Sequence, residues 1–344
     1  MKSSSNRRKG RSLAASLLAV IALLVLLCVA ATIYWSRQPI LVEGKPIEFT
    51  VKSGSGVRAT AQQMVDAGVP INPMLFTLLV RATGQGGKLK AGQYELKPGV
   101  SPLRLMDKIV RGEIAQESVT IIEGWTFRQM RQTLAAHPAL RHDAQQLSEA
   151  ELLTKIGVTE FKQAEGLFFP DTYLFAKGSS ELLVYRQAHT ALMKRLNEQW
   201  AKRDPALPYR SPYEALIMAS IVEKETGQKS ERGMIAGVFV NRLRIGMLLQ
   251  TDPTVIYGMG EEYRGNIRKR DLTTDTPYNT YTRKGLPPTP IALPGMQSLV
   301  AALNPEATDA LYFVARGDGS SQFSSNLNDH NRAVNLYQRS GKTN

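Results

Sequence analysis

Hydrophobic positions follow three regimes along the chain. Residues 13–35 are an uncharged, mostly apolar stretch of 23 residues. At ~1.5 Å per residue, a helix of that length crosses a hydrocarbon core of ~30 Å. Residues 36–46 read as a short linker. Alternation then takes over: Ile47-Glu48-Phe49-Thr50-Val51 has the two-residue period of a strand. A short helical stretch carrying Ala59, Met64 and Val65 stops at Gly68, and 76–80 predicts a second helix. Gly92-Gln93-Tyr94-Glu95-Leu96 reads as a strand, and Ser101-Pro102 opens a helix through Ile109 that stops near Gly112.

The third regime is longer and mixed. Val119-Thr120-Ile121-Ile122 predicts a strand and Glu123-Gly124 a turn. Thr126 and Gln129 form a capping box ahead of a helix through Leu134. A long helix runs from Glu181 to about Trp200. Ser211-Pro212-Tyr213-Glu214 is a strong helix start, with Ser at the N-cap, Pro at N1 and Glu at N3; that helix should reach about Thr226 and stop at Gly227. Residues 232–243 predict its partner. Residues 250–295 are rich in Gly, Pro, Thr, Tyr and Asn and read as long loops on a helical scaffold. A strand at 311–315, a turn at Gly317-Asp318-Gly319 and a helix beginning near Asn328 close the chain.

The pattern therefore predicts an α+β chain. A tail (1–12) leads into an N-terminal transmembrane helix (13–35) and the linker (36–46). A small α+β module (47–113) and a larger mixed α+β domain (114–340) follow. Charge sets the orientation of the span. Lys2, Arg7, Arg8, Lys9 and Arg11 precede it with no acid, whereas only Arg37, Glu43 and Lys45 follow closely. The positive-inside rule then places Met1 in the cytoplasm and residues 36–344 outside. A cleavable signal peptide would have an apolar core of only ~7–15 residues ending in small side chains; this run is longer and ends in Ile33-Tyr34-Trp35.

Composition narrows the chemistry. The single cysteine, Cys28, lies inside the apolar stretch, so the chain has no internal disulfide and no cysteine-rich metal site. His137, His142, His189 and His330 are scattered and lack zinc-site spacing. No metal or cofactor site is expected. The net charge of +13 fits an anionic partner, but no nucleic-acid-binding motif is present. An anionic polymer outside the membrane, such as cell wall, fits better than nucleic acid. Gly258-Met259-Gly260 lacks the lysine of a phosphate loop, and Ser220 lies in no nucleophile elbow.

One segment carries a candidate catalyst: Ala219-Ser220-Ile221-Val222-Glu223-Lys224-Glu225-Thr226-Gly227. Glu223 and Glu225 lie on different helix faces. Glu223 stands over Ala219 and Ser220, a narrow face with room for a bulky ligand, and near the helix C-terminus, where the dipole disfavours a carboxylate. It is either a general acid in a groove or one of two solvated residues at a helix end, the reading that suits Lys224 and Glu225. Gln250, Thr251 and Asp252, with Asn279 and Tyr281, offer the amide, hydroxyl, carboxyl and aromatic groups that bind sugars; the alternative is a set of turns closing loops. Glu165, Asp171 and Tyr173 either line a groove or bond to backbone.

These motifs together resemble the YceG-like (MltG) family of endolytic murein transglycosylases. The resemblance rests on Glu165-Gly166-Leu167-Phe168-Phe169-Pro170-Asp171-Thr172-Tyr173, on the Ala219 to Thr226 segment and on Asn241-Arg242-Leu243. It continues through Leu249-Gln250-Thr251-Asp252-Pro253-Thr254, Tyr278-Asn279-Thr280-Tyr281, Gly285-Leu286-Pro287-Pro288 and His330-Asn331. It runs in one order through nearly all of 47–335.

The resemblance implies a bacterial inner-membrane protein with its catalytic domain in the periplasm. It implies cleavage of peptidoglycan glycan strands between N-acetylmuramic acid and N-acetylglucosamine, leaving 1,6-anhydro-muramyl ends, with termination of nascent strands as the expected role. It maps the catalytic glutamate onto Glu223 and a LysM-like domain onto the small module. Peptidoglycan synthases of the elongation or division machinery are the implied protein partners. Glu165, Asp171, Tyr173, Ser220, Gln250, Thr251, Asp252, Asn279 and Tyr281 are the expected substrate-binding residues. The alternatives are a non-catalytic wall-binding scaffold for those synthases, and a muramidase that uses water.

Overall fold

The structure is a computed structural model that describes residues 4–42 and 44–339. Lys2 and Glu43, which flank the expected span, and residue 340, the expected end of the larger domain, lie outside them. The fold is mixed α+β with one N-terminal apolar helix, and the chain divides into two compact units between Glu117 and Ser118.

In the first unit, α1 (Ser4–Arg37) is 34 residues long. It starts well before residue 13, because lysine, arginine and serine continue a helix as readily as they flank one. Its segment Leu18–Arg37 has a mean hydropathy of 2.6, sufficient by length and composition to cross a membrane. The apolar side chains along it are exposed, among them Leu23, Leu26 and Val29.

Strand β1 (Ile47–Val51), helices α2 (Val57–Asp66) and α3 (Pro73–Ala82), strand β2 (Gly92–Leu96) and helix α4 (Pro102–Arg111) follow. The two strands pair antiparallel, with Phe49 opposite Tyr94 and their rings stacked at 5.6 Å. Met64, Phe76, Leu105 and Ile109 from the three helices close the core on that pair. The segment expected to be a linker is docked instead. Ser36 and Ile40 are buried, Ile40 N donates to the Val100 carbonyl at 2.9 Å, and Trp35 packs on the same core. An apolar residue five positions after the span, with its amide paired, joins 36–42 to the core of the first unit.

The second unit is a helical core with short two-stranded sheets at its margin. Its elements are β3 (Gln116–Thr120, begun in the first unit), α5 (Phe127–Ala135), β4 (Leu140–Arg141), α6 (Glu149–Ile156), β5 (Thr172–Ala176), β6 (Ser179–Ser180) and α7 (Glu181–Ala201). Helices α8 (Pro212–Glu225), α9 (Arg232–Arg244), α10 (Asp252–Met259), α11 (Lys269–Thr273) and α12 (Met296–Leu303) follow. The unit ends with β7 (Tyr312–Ala315), β8 (Ser321–Ser324) and α13 (Leu327–Val334). β3 pairs with β5, β4 runs parallel to β6, and β7 with β8 is an antiparallel hairpin. The stretch 250–295 is not all loop: α10 and α11 lie inside it. Pro253 at the start of α10 fits a first helical turn, where its missing N–H costs nothing.

Helix α8 is the centre of the unit. It packs against α7, α9, α10 and α12, and all eight side chains from Ala215 through Val222 are buried. A helix apolar on every face belongs in a core. Its two end turns, residues 212–214 and 223–225, reach the surface.

Candidate active site

The last turn of α8 carries Glu223. Its Oε1 accepts a hydrogen bond from Arg232 Nη2 at 2.9 Å, and its Oε2 accepts from Gly295 N at 2.9 Å and Ser298 Oγ at 2.7 Å. Gly295 is the N-cap of α12 and Ser298 lies in its first turn. The carboxylate thus sits at the negative end of α8 and the positive end of α12, and the second dipole offsets the first. Arg232, near the start of α9, supplies a full positive charge. The side chains are 5% and 7% exposed for Glu223 and Arg232. Arg232 Nη1 also donates to Gln297 Oε1 at 3.1 Å, while its Nε is buried with no partner among the described residues.

Glu223 lines a cleft of ≈ 330 Å³ together with Glu123, Gly124, Trp125, Lys224 and Arg232. The opposite wall is a pinned turn. Gly124 N donates to the Leu293 carbonyl at 2.8 Å, and Leu293 N donates to the Trp125 carbonyl at 2.7 Å. Lys224 Nζ donates to the Gly124 carbonyl at 3.3 Å. Gly124 holds φ +77°, a conformation glycine adopts without steric cost.

The narrow face below Glu223 is not open to a ligand. Ala219 and Ser220 are fully buried; Ser220 Oγ donates to the Ile217 carbonyl at 2.7 Å and accepts from Ile291 N at 3.0 Å. The small side chains make room, but the chain's own 291–295 segment fills it. Ser220 therefore positions the segment that brings Gly295 to Glu223.

The other expected residues form separate groups. Thr251 is buried; its Oγ1 donates to Glu225 Oε2 at 2.6 Å and its N to Thr280 Oγ1 at 3.1 Å. Glu225, read as solvated, is instead half-buried, and desolvation pushes its carboxyl pKa up against the Thr251 hydrogen bond. Asp252 Oδ1 accepts from the Tyr281 hydroxyl at 2.6 Å. Asn279 is buried, its Nδ2 donating to the carbonyls of Asp271, Leu272 and Thr274 and its Oδ1 accepting from Tyr281 N. That is a turn-closing role. Gln250 is exposed at φ +50°, the only non-glycine residue with positive φ among the described residues.

Glu165 is buried too. Its Oε1 accepts from Phe127 N at 2.9 Å and Gly166 N at 3.2 Å, and its Oε2 accepts from the Tyr257 hydroxyl at 3.2 Å. Desolvation outweighs those three donors and raises its pKa to about 7. Tyr173 is buried with its hydroxyl donating to the Phe169 carbonyl at 2.6 Å. Asp171 is exposed and faces Arg195 at 3.4 Å.

Glu165, Tyr173, Ser220, Thr251 and Asn279 thus have their polar groups hydrogen-bonded within the chain itself. Gln250, Asp171 and the Asp252–Tyr281 pair keep exposed groups. None of the nine lines the Glu223 cleft. Its other polar partners, Glu123, Arg232, Gly295 and Ser298, were not singled out by sequence. Only the turn at Glu123-Gly124 was marked, and nothing local ties it to residue 223.

The sequence profile of the YceG-like family matches residues 49–336. The endolytic murein transglycosylase of Bacillus subtilis (strain 168) is 31% identical over 326 residues, 87% of each chain. That of Streptococcus pneumoniae serotype 2 is 29% identical over 92% of this chain, which spans only 64% of that longer protein. The crystal structure of a yceG-like protein from Listeria monocytogenes superposes with a TM-score of 0.52 at 30% identity, covering 84% of this chain and 99% of that one. With the family profile spanning most of the sequence and a relative this similar over nearly its whole length, the chain belongs to the YceG-like family.

Proposed function

We propose that this chain is an endolytic lytic transglycosylase of peptidoglycan, with Glu223 as its acid and then its base. One observation carries the reading: in a YceG-like chain, the Glu223 carboxyl is fixed by Arg232, Gly295 and Ser298 on the wall of a solvent-reaching cleft. Glu223 gives its proton to the glycosidic oxygen between N-acetylmuramic acid and N-acetylglucosamine. The bond from that oxygen to C1 of the muramyl sugar breaks. The sugar's own C6 hydroxyl then closes onto C1, and its proton returns to Glu223. No water is consumed, and a 1,6-anhydro end results.

The surroundings of Glu223 suit the first transfer. Arg232 and the N-terminus of α12 stabilise the carboxylate it leaves behind. Gln250 and the Asp252–Tyr281 pair are the proposed glycan contacts away from the cleft. Glu165, Tyr173, Ser220, Thr251 and Asn279 act by holding the scaffold. Residues 47–113 are the proposed LysM-like module and 114–340 the catalytic domain. The apolar helix is the proposed single anchor in the inner membrane, N-terminus inside, and peptidoglycan synthases are the proposed partners during strand termination.

The test is mass spectrometry of products from purified peptidoglycan. Wild-type protein should release strands with 1,6-anhydro ends, and Glu223→Gln should fold, bind glycan and release none. Reducing ends would identify a muramidase. Absence of any cleavage would leave a wall-binding scaffold.

A further inference from the structure

The Glu223 cleft holds a second carboxylate. Glu123 lines it, its side chain is exposed, and no hydrogen bond or ion pair engages it among the described residues. An idle side chain on a surface is ordinary, but this one is held in place. It sits on the turn pinned by Gly124, Trp125 and Leu293. It also lies over Gly295, occupying the space that a Cβ there would take. The amide of that same glycine donates to Glu223 Oε2 at 2.9 Å. One glycine therefore separates the two carboxyl groups, which places them roughly 8 Å apart at most from backbone dimensions. Carboxylate pairs that work on one glycosidic bond span about 5–9.5 Å.

The two groups are electrostatically unlike. Glu223 is enclosed and bound by a cation and two further donors, whereas Glu123 is open and unbound. Paired carboxyls in contrasting surroundings are suited to different roles. We propose that Glu123 is a second catalytic carboxylate, accepting a hydrogen bond from the 2-acetamido N–H of the muramyl sugar; this rests on the reading of the cleft as the transglycosylase site. As the C1–O4 bond breaks with the proton from Glu223, the acetamido oxygen bonds to C1 and the ring nitrogen becomes positively charged. Glu123 stabilises that charge. The C6 oxygen then forms its bond to C1, the acetamido oxygen leaves with its electron pair, and the C6 proton passes to Glu223. Glu123 neither gains nor loses a proton. The absence of side-chain atoms at Gly295 lets it reach the reacting ring.

The experiment compares wild type, Glu123→Gln and Glu223→Gln on purified glycan strands, with and without N-acetyl groups on the muramyl sugars. Glu123→Gln should lower kcat roughly a hundredfold, as loss of one preorganised charge-stabilising group does, with KM and thermal midpoint unchanged. On de-N-acetylated strands, wild type and Glu123→Gln should share the same residual rate. Wild-type turnover by Glu123→Gln on N-acetylated strands, or an equal loss on both substrates, overturns the proposal. If Glu223→Gln is inactive in that case, only the role of Glu123 falls. If Glu223→Gln also turns over normally, the cleft is not the active site and both readings fall.

Discussion

Arg232 Nη2 stands 2.9 Å from Glu223 Oε1, and each side chain exposes only a narrow edge to the cleft. The pair joins the end of α8 to the start of α9, and Glu223 ties both to α12. A buried charge with its partner removed is costly because nothing replaces the lost solvation. The same contact that prepares the carboxyl for proton transfer therefore also holds three core helices in register.

Arg232→Met should destabilise the second unit by about 3–5 kcal/mol, the usual cost of stripping one member from a buried pair. Glu223→Gln/Arg232→Met should recover much of that loss, since neither charge remains. Urea denaturation of the four proteins in a double-mutant cycle gives the coupling directly. Additive effects would show that the contact contributes nothing to stability.

Much of this architecture was legible in local signals. The alternation at Ile47–Val51 and Gly92–Leu96 marked the two strands of the first unit, and Ser211-Pro212-Tyr213-Glu214 marked the start of α8. Ser148 and Glu151 form a capping box at α6, a local signal of the same kind. Glu223 was found because its segment is distinctive. Its partners Arg232, Gly295 and Ser298 carry no such signal, because they meet it only through tertiary packing and share no periodicity with it. Ser220 shows the limit of face-counting. Small residues under a glutamate signal space, but sequence does not say whether a ligand or the chain itself fills it.

Glu165 should make stability depend on pH. Its pKa is raised by burial from 4.5 to about 7 in the folded state. Below about 4.5 both folded and unfolded states are protonated, and its contribution is fully present. Between about 4.5 and 7 the unfolded state releases its proton first, so stability falls, and the loss is complete above 7. A shift of this size corresponds to roughly 3 kcal/mol across the window. Glu165→Gln should flatten that part of the profile, read as thermal midpoint against pH. An unchanged slope would mean that Glu165 does not titrate there.

Gly166 should tolerate no side chain. It holds φ +77°, and a Cβ there would overlap the Pro290 ring. The left-handed conformation costs a side-chain-bearing residue about 1–2 kcal/mol, and overpacking adds about 1–3 kcal/mol. Gly166→Ala should therefore lower unfolding free energy by about 2–5 kcal/mol in urea. Pro290 Cβ and Cγ both lie in that space, so Gly166→Ala/Pro290→Gly, which removes both atoms, should regain the overpacking part. No recovery in the double variant would assign the cost to backbone strain alone.

Gln250 tests whether strain and recognition coincide. Its backbone sits at φ +50°, its amide donates to the Thr280 carbonyl at 3.1 Å, and its side chain is exposed. A residue kept in a sparsely populated conformation costs about 1–3 kcal/mol and persists where the surrounding structure or a function demands it. Gln250→Gly removes both strain and side chain, while Gln250→Ala removes only the side chain. The glycine variant should be the more stable of the two by about 1 kcal/mol. If the amide side chain contacts glycan, both should lose kcat/KM on peptidoglycan to a similar degree, although only the glycine variant relieves the strain. Wild-type kcat/KM in both would show that the conformation serves only the turn, and that the side chain has no part in binding.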